Sequence, residues 1–360
     1  MKSVIVIIMV LVSISSHAYP YNGGSLSDRP SFEGRWFADN SPWNTPITDK
    51  TNLGYAINWQ GGVINNNVWN VFTPAIIKAN SNINEKQDVK MCVKFDDNAN
   101  CDDTSPIGTF QIWTLQDVPI PEELKTYSIY RVSKNDTDGM TCLYDEATGV
   151  FYDFWKPVWD GSSFTATVGN TTKISGFGFS KIGVKYPHES SDNIGLGRAA
   201  GSSYCGGVIR RKEINEGEIK HALALMMPNT SLSTTNIVYP ASGSDGTAES
   251  EGLPYGSLVV LNPDLTDEEM ISMGLGKTDL IVAHAWQKYG AYIVDSGYTT
   301  TSAICYENEF DGSTKQFDVL TSWPESIKDH LFVVKSPSNK GNSSFDEKTQ
   351  YSAEMTFQYP

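Results

Sequence analysis

Between residues 88 and 176, apolar and polar positions alternate through DVKMCVKF, GTFQIWTLQ, TYSIYRV, MTCLYDE, GVFYDFWKPVW and SFTATV. Their β-branched and aromatic content suits strands, and DDNAN, NDTDG, DEATG and WDGSS between them are turn formers. A second group follows residue 206: GGVIRR, IKHALALMM, TNIVYPA, YGSLVVLNP, GAYIVDSG, SAICYE and HLFVVK. No regular strand–helix–strand rhythm separates these segments. The pattern predicts a mainly β fold, an antiparallel β-sandwich or jelly-roll-like body. The final YSAEMTFQYP alternates well enough to close it as a strand.

Helix signals are few. Thr266 is placed as an N-cap, with Glu269 three positions on to complete a capping box. A second helix is predicted to start near Thr278 and run through DLIVAHAWQKY, with Ile281, Ala285 and Tyr289 on one face and Gly290 as terminator. His284 neighbours that face, so it is expected to pack there with one hydrogen bond orienting the ring.

The N-terminus changes the compartment. MKSVIVIIMVLVSISSHA has a lysine, a short apolar core and small residues before Ala18, the pattern of a cleaved secretory signal at 1–18. Residues 19–50, rich in Gly, Pro, Ser and Asp, are expected to form an extended arm pinned by Trp36 and Trp43. Residues 51–360 then form a single large β domain, with room for a small accessory sheet. No later segment offers the roughly 18 continuous apolar residues of a membrane span. The protein is expected to be secreted, extracellular or in the cell wall.

With 27 basic and 42 acidic residues the formal charge is −15. Such a surface repels nucleic acid and anionic membranes. It excludes a polyanionic sugar less firmly, because a local basic groove can outweigh the global charge.

Secretion gives the five cysteines a disulfide context. Cys92 and Cys101 enclose VKFDDNAN and are expected to staple a hairpin loop. Cys142 with Cys305 is the expected long-range pair, which leaves Cys205 over. Asn135, Asn170, Asn229 and Asn342 each open an acceptor sequon and are expected on exposed, glycosylated loops.

Two stretches carry candidate chemistry. On a strand through YDFWK, Phe151, Asp153 and Trp155 share one face, and Tyr152, Phe154 and Lys156 the other. A carboxylate beside aromatic rings suits a sugar cleft, since rings stack on pyranose faces while the acid bonds hydroxyls; Trp159 would extend that rim. If EIKHALAL is a strand, Glu218 and Lys220 point one way while His221, Leu223 and Leu225 point the other. His221 then travels with the apolar set, either packed or at the floor of a cleft.

Glycoside hydrolysis needs two carboxyl groups, one protonating the leaving oxygen and one activating water or attacking carbon. Asp153, Glu213, Glu218 and Asp295 are the placeable carboxylates. β-Elimination would use His221 or Tyr289, with Arg210, Arg211 and Lys212 as cations for a uronate. The candidate catalytic set is therefore Asp153, Glu213, His221 and Asp295, with Trp155, Trp159, Arg210, Arg211 and Tyr289 binding substrate. Thiol catalysis through Cys205, with His221 or His284 as base, lacks a protease signature in SSYCGG. No HExxH pair or repeated CxxC marks a metal site, so no cofactor is expected, and calcium on an Asp/Asn loop has no specific motif. GLGRAAG lacks the spacing of a phosphate loop.

Residues 195–297 resemble a family of large secreted bacterial proteins that share R-x-x-E-I-x-x-G-x-I-x-H-A-L and a later Y-G-x-x-x-x-D-x-G. The corresponding pieces here are RRKEINEGEIKHAL, VYPAS and YGAYIVDSG, and the leading DNSPWNTPI is also similar. The resemblance singles out Glu213, Gly217, His221, Tyr289, Gly290, Asp295 and Gly297, and it brings no activity with it. SSYCGG departs from the family's more hydrophobic loop, with Cys205 the obvious difference.

These residues set one leading expectation: a secreted carbohydrate-active protein cleaving glycosidic bonds of an extracellular or cell-wall polysaccharide, by hydrolysis. The alternatives are a polysaccharide lyase and a noncatalytic carbohydrate-binding or structural wall protein. The oligomeric state is left open.

Overall fold

A computed structural model describes residues 35–47, 53–56, 73–91, 114–133, 138–179, 197–248, 252–297, 302–308, 320 and 322–334, with the backbone alone at 53–56, 132–133 and 168. The signal segment, most of the arm, Cys92, Cys101, Asn135, Asn342 and the terminal YSAEMTFQYP lie outside these residues.

The described chain is mainly β, with its sheets packed in sandwich-like layers. The largest sheet has six strands in the order β1 (Leu53–Ala56), β16 (Leu331–Val334), β13 (Leu258–Leu261), β14 (Ala291–Gly297), β10 (Leu223–Pro228) and β15 (Ala303–Ile304). Every residue of β10 and β13 is buried, so these central strands are covered on both faces. That is why LALMM and LVVL read as continuous apolar runs rather than alternations. Parallel pairing enters this sheet between β10 and β14. The connection between them passes through the parallel pair β11 (Leu232–Ile237) and β12 (Leu253–Tyr255), then β13.

The second sheet, β2 (Ala75–Ala79), β5 (Thr141–Asp145), β6 (Val150–Trp155) and β9 (Val168–Lys173), lies between two cores. Strand alternation sends Ile76, Cys142 and Phe151 into the core shared with the six-stranded sheet. Ala75, Ile77, Leu143 and Phe154 go into another core. That second core is closed by a smaller sheet of β3 (Lys86–Met91), β4 (Thr114–Pro119), β7 (Val158–Trp159) and β8 (Phe164–Ala166). It is also covered by helix α1 (Glu122–Ser133).

Helix α1 corrects the strand expected at TYSIYRV. Leu124, Tyr127, Ser128 and Arg131 are its buried residues, at helical spacing, and Glu122 and Glu123 lie in its first turn. Pro121 just before it and the acidic first turn are helix-start signals that the apolar alternation concealed.

The two helices predicted downstream are present as α3 (Asp267–Ser272) and α4 (Lys277–Lys288), after α2 (Arg211–Glu216). Thr266 caps α3 with the expected box to Glu269. Gly290 follows α4 at φ 77°, where a Cβ would lie 2.5 Å from Leu258 Cδ1. Both its conformation and the space around it call for glycine. His284 is an exposed residue of α4 whose Nε2 is 2.8 Å from Asp267 Oδ1, not a packed ring.

Trp36 and Trp43 are buried, as expected of the arm's anchors. Trp43 stacks on Phe179 at 4.9 Å and meets Tyr292 edge-on at 5.6 Å. Gly206 and Gly207 make room for it: a Cβ on either would come within 2.6 Å of the indole. Burying a side chain of this kind contributes roughly 2–3 kcal/mol.

Candidate active site

The site begins on the inner face of the second sheet. Strand register sets Cys142 opposite Asp153, and Asp153 opposite Asn170, so the three form one row. Cys142 is disulfide-bonded to Cys205, with Cα atoms 5.4 Å apart. This corrects the expected Cys142–Cys305 pair: β5 faces the 203–206 turn, while Cys305 is a buried free thiol beside β15. It also removes Cys205 as a nucleophile. Asn170 is only 3% exposed, which corrects its expected place on a glycosylated loop.

Asp153 is buried under the turn that the disulfide holds. Its Oδ1 accepts from Ser203 Oγ at 3.0 Å and from the Tyr204 N–H at 3.1 Å. Its Oδ2 has no hydrogen-bond partner among the described residues. Burial pushes the carboxyl up to about 7, against the opposite pull of those donors and of Arg198.

Arg198 opens the adjoining turn, 198–201, just before the one the disulfide holds. Its N–H donates to the Ser202 carbonyl at 2.9 Å, and its carbonyl accepts from Gly201 at 2.7 Å. The guanidinium, 1% exposed, lies 5.5 Å from the Tyr204 ring centre and brings Nη1 to 3.5 Å from Asp295 Oδ2. Nε and Nη2 have no hydrogen-bond partner among the described residues. One cation therefore serves the fields of two carboxyls, Asp153 and Asp295.

Asp295 owes its aim to a bulge. The β10–β14 register pairs Leu225 with Ile293 but Met226 with Asp295, which leaves Val294 over. An extra residue of this kind bends a strand and redirects the side chains beside it. The free Val294 carbonyl accepts from the Ala200 N–H at 2.9 Å, docking the Arg198 turn on the bulge. Burial, then the neighbouring Asp245, push Asp295 up to about 7.

Ser296 connects this carboxyl to its neighbour. Its backbone N–H donates to Asp295 Oδ1 and its Oγ to Asp245 Oδ2, each at 3.0 Å. The Tyr255 hydroxyl donates to the other Asp245 oxygen. Burial holds Tyr255 far above the ordinary phenol range, so it stays a donor. Asp245 is exposed, and Asp295 keeps 13% of its side chain accessible. A shielded proton-holding carboxyl thus stands beside a solvent-facing, hydrogen-bonded one.

Glu213 and His221 meet elsewhere. EIKHALAL is not a strand from its first residue: RKEINE forms α2, Gly217 ends it at φ 79°, and β10 begins only at Leu223. Glu213 accepts from the Arg210 N–H at 3.0 Å and from Arg210 Nη2 at 2.5 Å. His221 Nε2 lies 3.1 Å from Glu213 Oε1, and its Nδ1 lies 2.8 Å from the Ala222 carbonyl. Both ring nitrogens therefore face oxygens, one of the Glu213 carboxylate and one of the Ala222 carbonyl. His221 and Arg210 hold the Glu213 carboxyl well below the usual carboxylate range despite its burial. This is an ion cluster built around one carboxylate, with Arg210 also 4.5 Å from the Trp36 ring centre.

The remaining candidates are dispersed. Half-buried Trp155 packs on the large core with Lys156 Nζ 4.8 Å from its ring, while Trp159 packs on the other core under Lys125 at 4.6 Å. They form no common platform. Arg211 starts α2, where its N–H donates to Glu307 at 3.2 Å. Tyr289 is buried at the end of α4, and Glu218 makes an exposed pair with Lys220 at 3.0 Å. Arg198, Asp245, Tyr255 and Ser296 were not singled out from the sequence. SGSDG reads as an ordinary turn, and nothing local links it to Asp295.

Compared with models of protein families, with curated proteins and with solved structures, the chain has no match. Among the described residues, no helix is long and apolar enough to cross a membrane.

Proposed function

We propose that the protein is a secreted carbohydrate-active hydrolase that cleaves glycosidic bonds of an extracellular or cell-wall polysaccharide. Asp295 is its proton donor, and Asp245 is the partner carboxyl that attacks or activates water. The observation that carries this reading is the Ser296 bridge, which joins a shielded carboxyl to an exposed one. Glycosidic cleavage asks for this division of labour: one acid that still holds a proton near neutrality, and one carboxylate that attacks or activates water. Asp295, pushed up to about 7, suits the first role. Asp245, receiving hydrogen bonds from Tyr255 and Ser296, suits the second. Elimination through His221 has less support, because Glu213 and Ala222 occupy both ring nitrogens.

The test is digestion of a glycan panel with the wild type, Asp295→Asn and Asp245→Asn. New reducing ends without the ultraviolet absorbance of an unsaturated uronate are expected. Each substitution should lower kcat/KM about a hundredfold or more. Cleavage undiminished in both variants, or binding without any product, would overturn the proposal.

A further inference from the structure

Asp153 is a carboxylate the proposed reaction does not use, yet it is buried at the base of the turn that presents Arg198. Besides the backbone bonds of Ser203 to Gly178 and of Ser242 to Ala200, three attachments hold the segment 198–206. Asp153 Oδ1 takes the Ser203 hydroxyl and the Tyr204 N–H. The disulfide ties Cys205 to β5, and the Ala200 N–H docks on Val294, one residue before Asp295. The Ser203 hydroxyl also accepts from the Cys205 N–H at 3.1 Å, so the Asp153 contact and the disulfide brace the same short run, Ser203 to Cys205. The Arg198 Nη1–Asp295 Oδ2 approach of 3.5 Å depends on where this turn sits.

We propose that Asp153 is a positioning residue: by accepting from Ser203 and Tyr204 it seats the 198–205 turn and so holds the Arg198 guanidinium against Asp295. The proposal rests on Asp295 being the acid of the reaction, but its central measurement does not require activity. That measurement is the titration midpoint of the Asp295 side-chain carboxyl, followed by 13C NMR in the full chain. The charged and titratable groups acting on that carboxyl or its immediate neighbours are Arg198, Asp245, Asp138, Tyr204, Tyr255 and Cys305.

Asp153→Ala removes the acceptor, releases Arg198 and should raise the Asp295 midpoint by about one pH unit or more, as loss of a close opposite charge does. Asp153→Asn keeps an acceptor oxygen for both donors and removes a competing charge, so its midpoint should stay at or below that of the wild type. Arg198→Met should raise the midpoint as Asp153→Ala does, and the double variant should add nothing further. If Asp153→Ala does not fold, Ser203→Ala removes one donor and should move the midpoint the same way by less. Additive shifts in the double variant, an unmoved midpoint in Ser203→Ala and Asp153→Ala, or an Asn variant that behaves like Ala would overturn the proposal. Failure of the hydrolysis reading would show separately, as cleavage that survives Asp295→Asn.

Discussion

The molecule buries two ion clusters on opposite principles. At Arg210, Glu213 and His221, a single carboxylate is met by the Arg210 guanidinium, the His221 ring and a backbone N–H. At Arg198, two carboxyls share a single guanidinium, and Asp153 Oδ2 and two guanidinium nitrogens have no hydrogen-bond partner among the described residues. Burial is similar in both, so the sign of each carboxyl's perturbation is decided by the count of donors and cations. Glu213 is driven down, while Asp153 and Asp295 are driven up to about 7. A carboxylate compensated by its donors acts as a lock, and an under-compensated carboxyl has a raised proton affinity that chemistry can use. A histidine and a glutamate in hydrogen-bond contact therefore hold a carboxyl whose proton affinity is lowered, while Asp153 and Asp295 are the carboxyls whose proton affinity is raised.

The harshest way to break this contrast is Glu213→Ala. It leaves the Arg210 guanidinium buried without its carboxylate partner and should cost about 3–5 kcal/mol in urea unfolding. Cleavage per folded molecule should be unchanged; a large loss there would move the chemistry back to His221. Replacing Cys142 and Cys205 by alanine attacks the other cluster. It frees a link spanning 63 residues and should cost about 2–4 kcal/mol, together with most of the cleavage.

The two clusters should also answer pH in opposite directions. Glu213 has a depressed folded-state value, so its contribution is complete above the unfolded carboxylate value near 4 and is lost as pH falls below it. Asp153 and Asp295 have raised values, so their contribution is complete at acid pH and declines as pH rises from about 4 through about 7. Asp295→Asn leaves one carboxylate per guanidinium. It should raise stability at pH 8 by roughly 1–3 kcal/mol and flatten the decline above pH 4, while abolishing cleavage. Unfolding midpoints of both proteins from pH 4 to pH 9 check this, and an unaltered slope would remove Asp295 from the under-compensated cluster.

The smallest effect serves as the control. His284 and Asp267 approach to 2.8 Å with half of each side chain exposed. His284→Ala should therefore change stability by less than about 0.5 kcal/mol, and a larger change would mean that burial does not separate the clusters from surface pairs.

Much of the fold is legible in local chemistry. Thr266 and Glu269 announce α3, Gly290 marks the end of α4, and LVVL and LALMM announce strands, whose burial on both faces only the structure shows. TYSIYRV misleads because its apolar residues fit a strand and a helix alike, and only packing of Leu124, Tyr127 and Arg131 on one face decides for α1. EIKHALAL misleads through one boundary. Once Gly217 closes α2, the residues before Leu223 follow a turn, and strand alternation no longer predicts where His221 points.

The sequence by itself determined a β-rich chain, the position of Asp153 among aromatic residues on one strand face, and the motif that contains Asp295. These follow from interactions within a few residues, where periodicity and capping act. Tertiary structure alone decided that Cys142 meets Cys205, that Glu213 closes on His221, and that Ser296 joins Asp295 to an aspartate 50 residues earlier in the chain. It also decided that one guanidinium acts on two carboxyls. The proton affinity of a buried acid is set by desolvation and by charges a few ångströms away, and those neighbours come from distant parts of the chain.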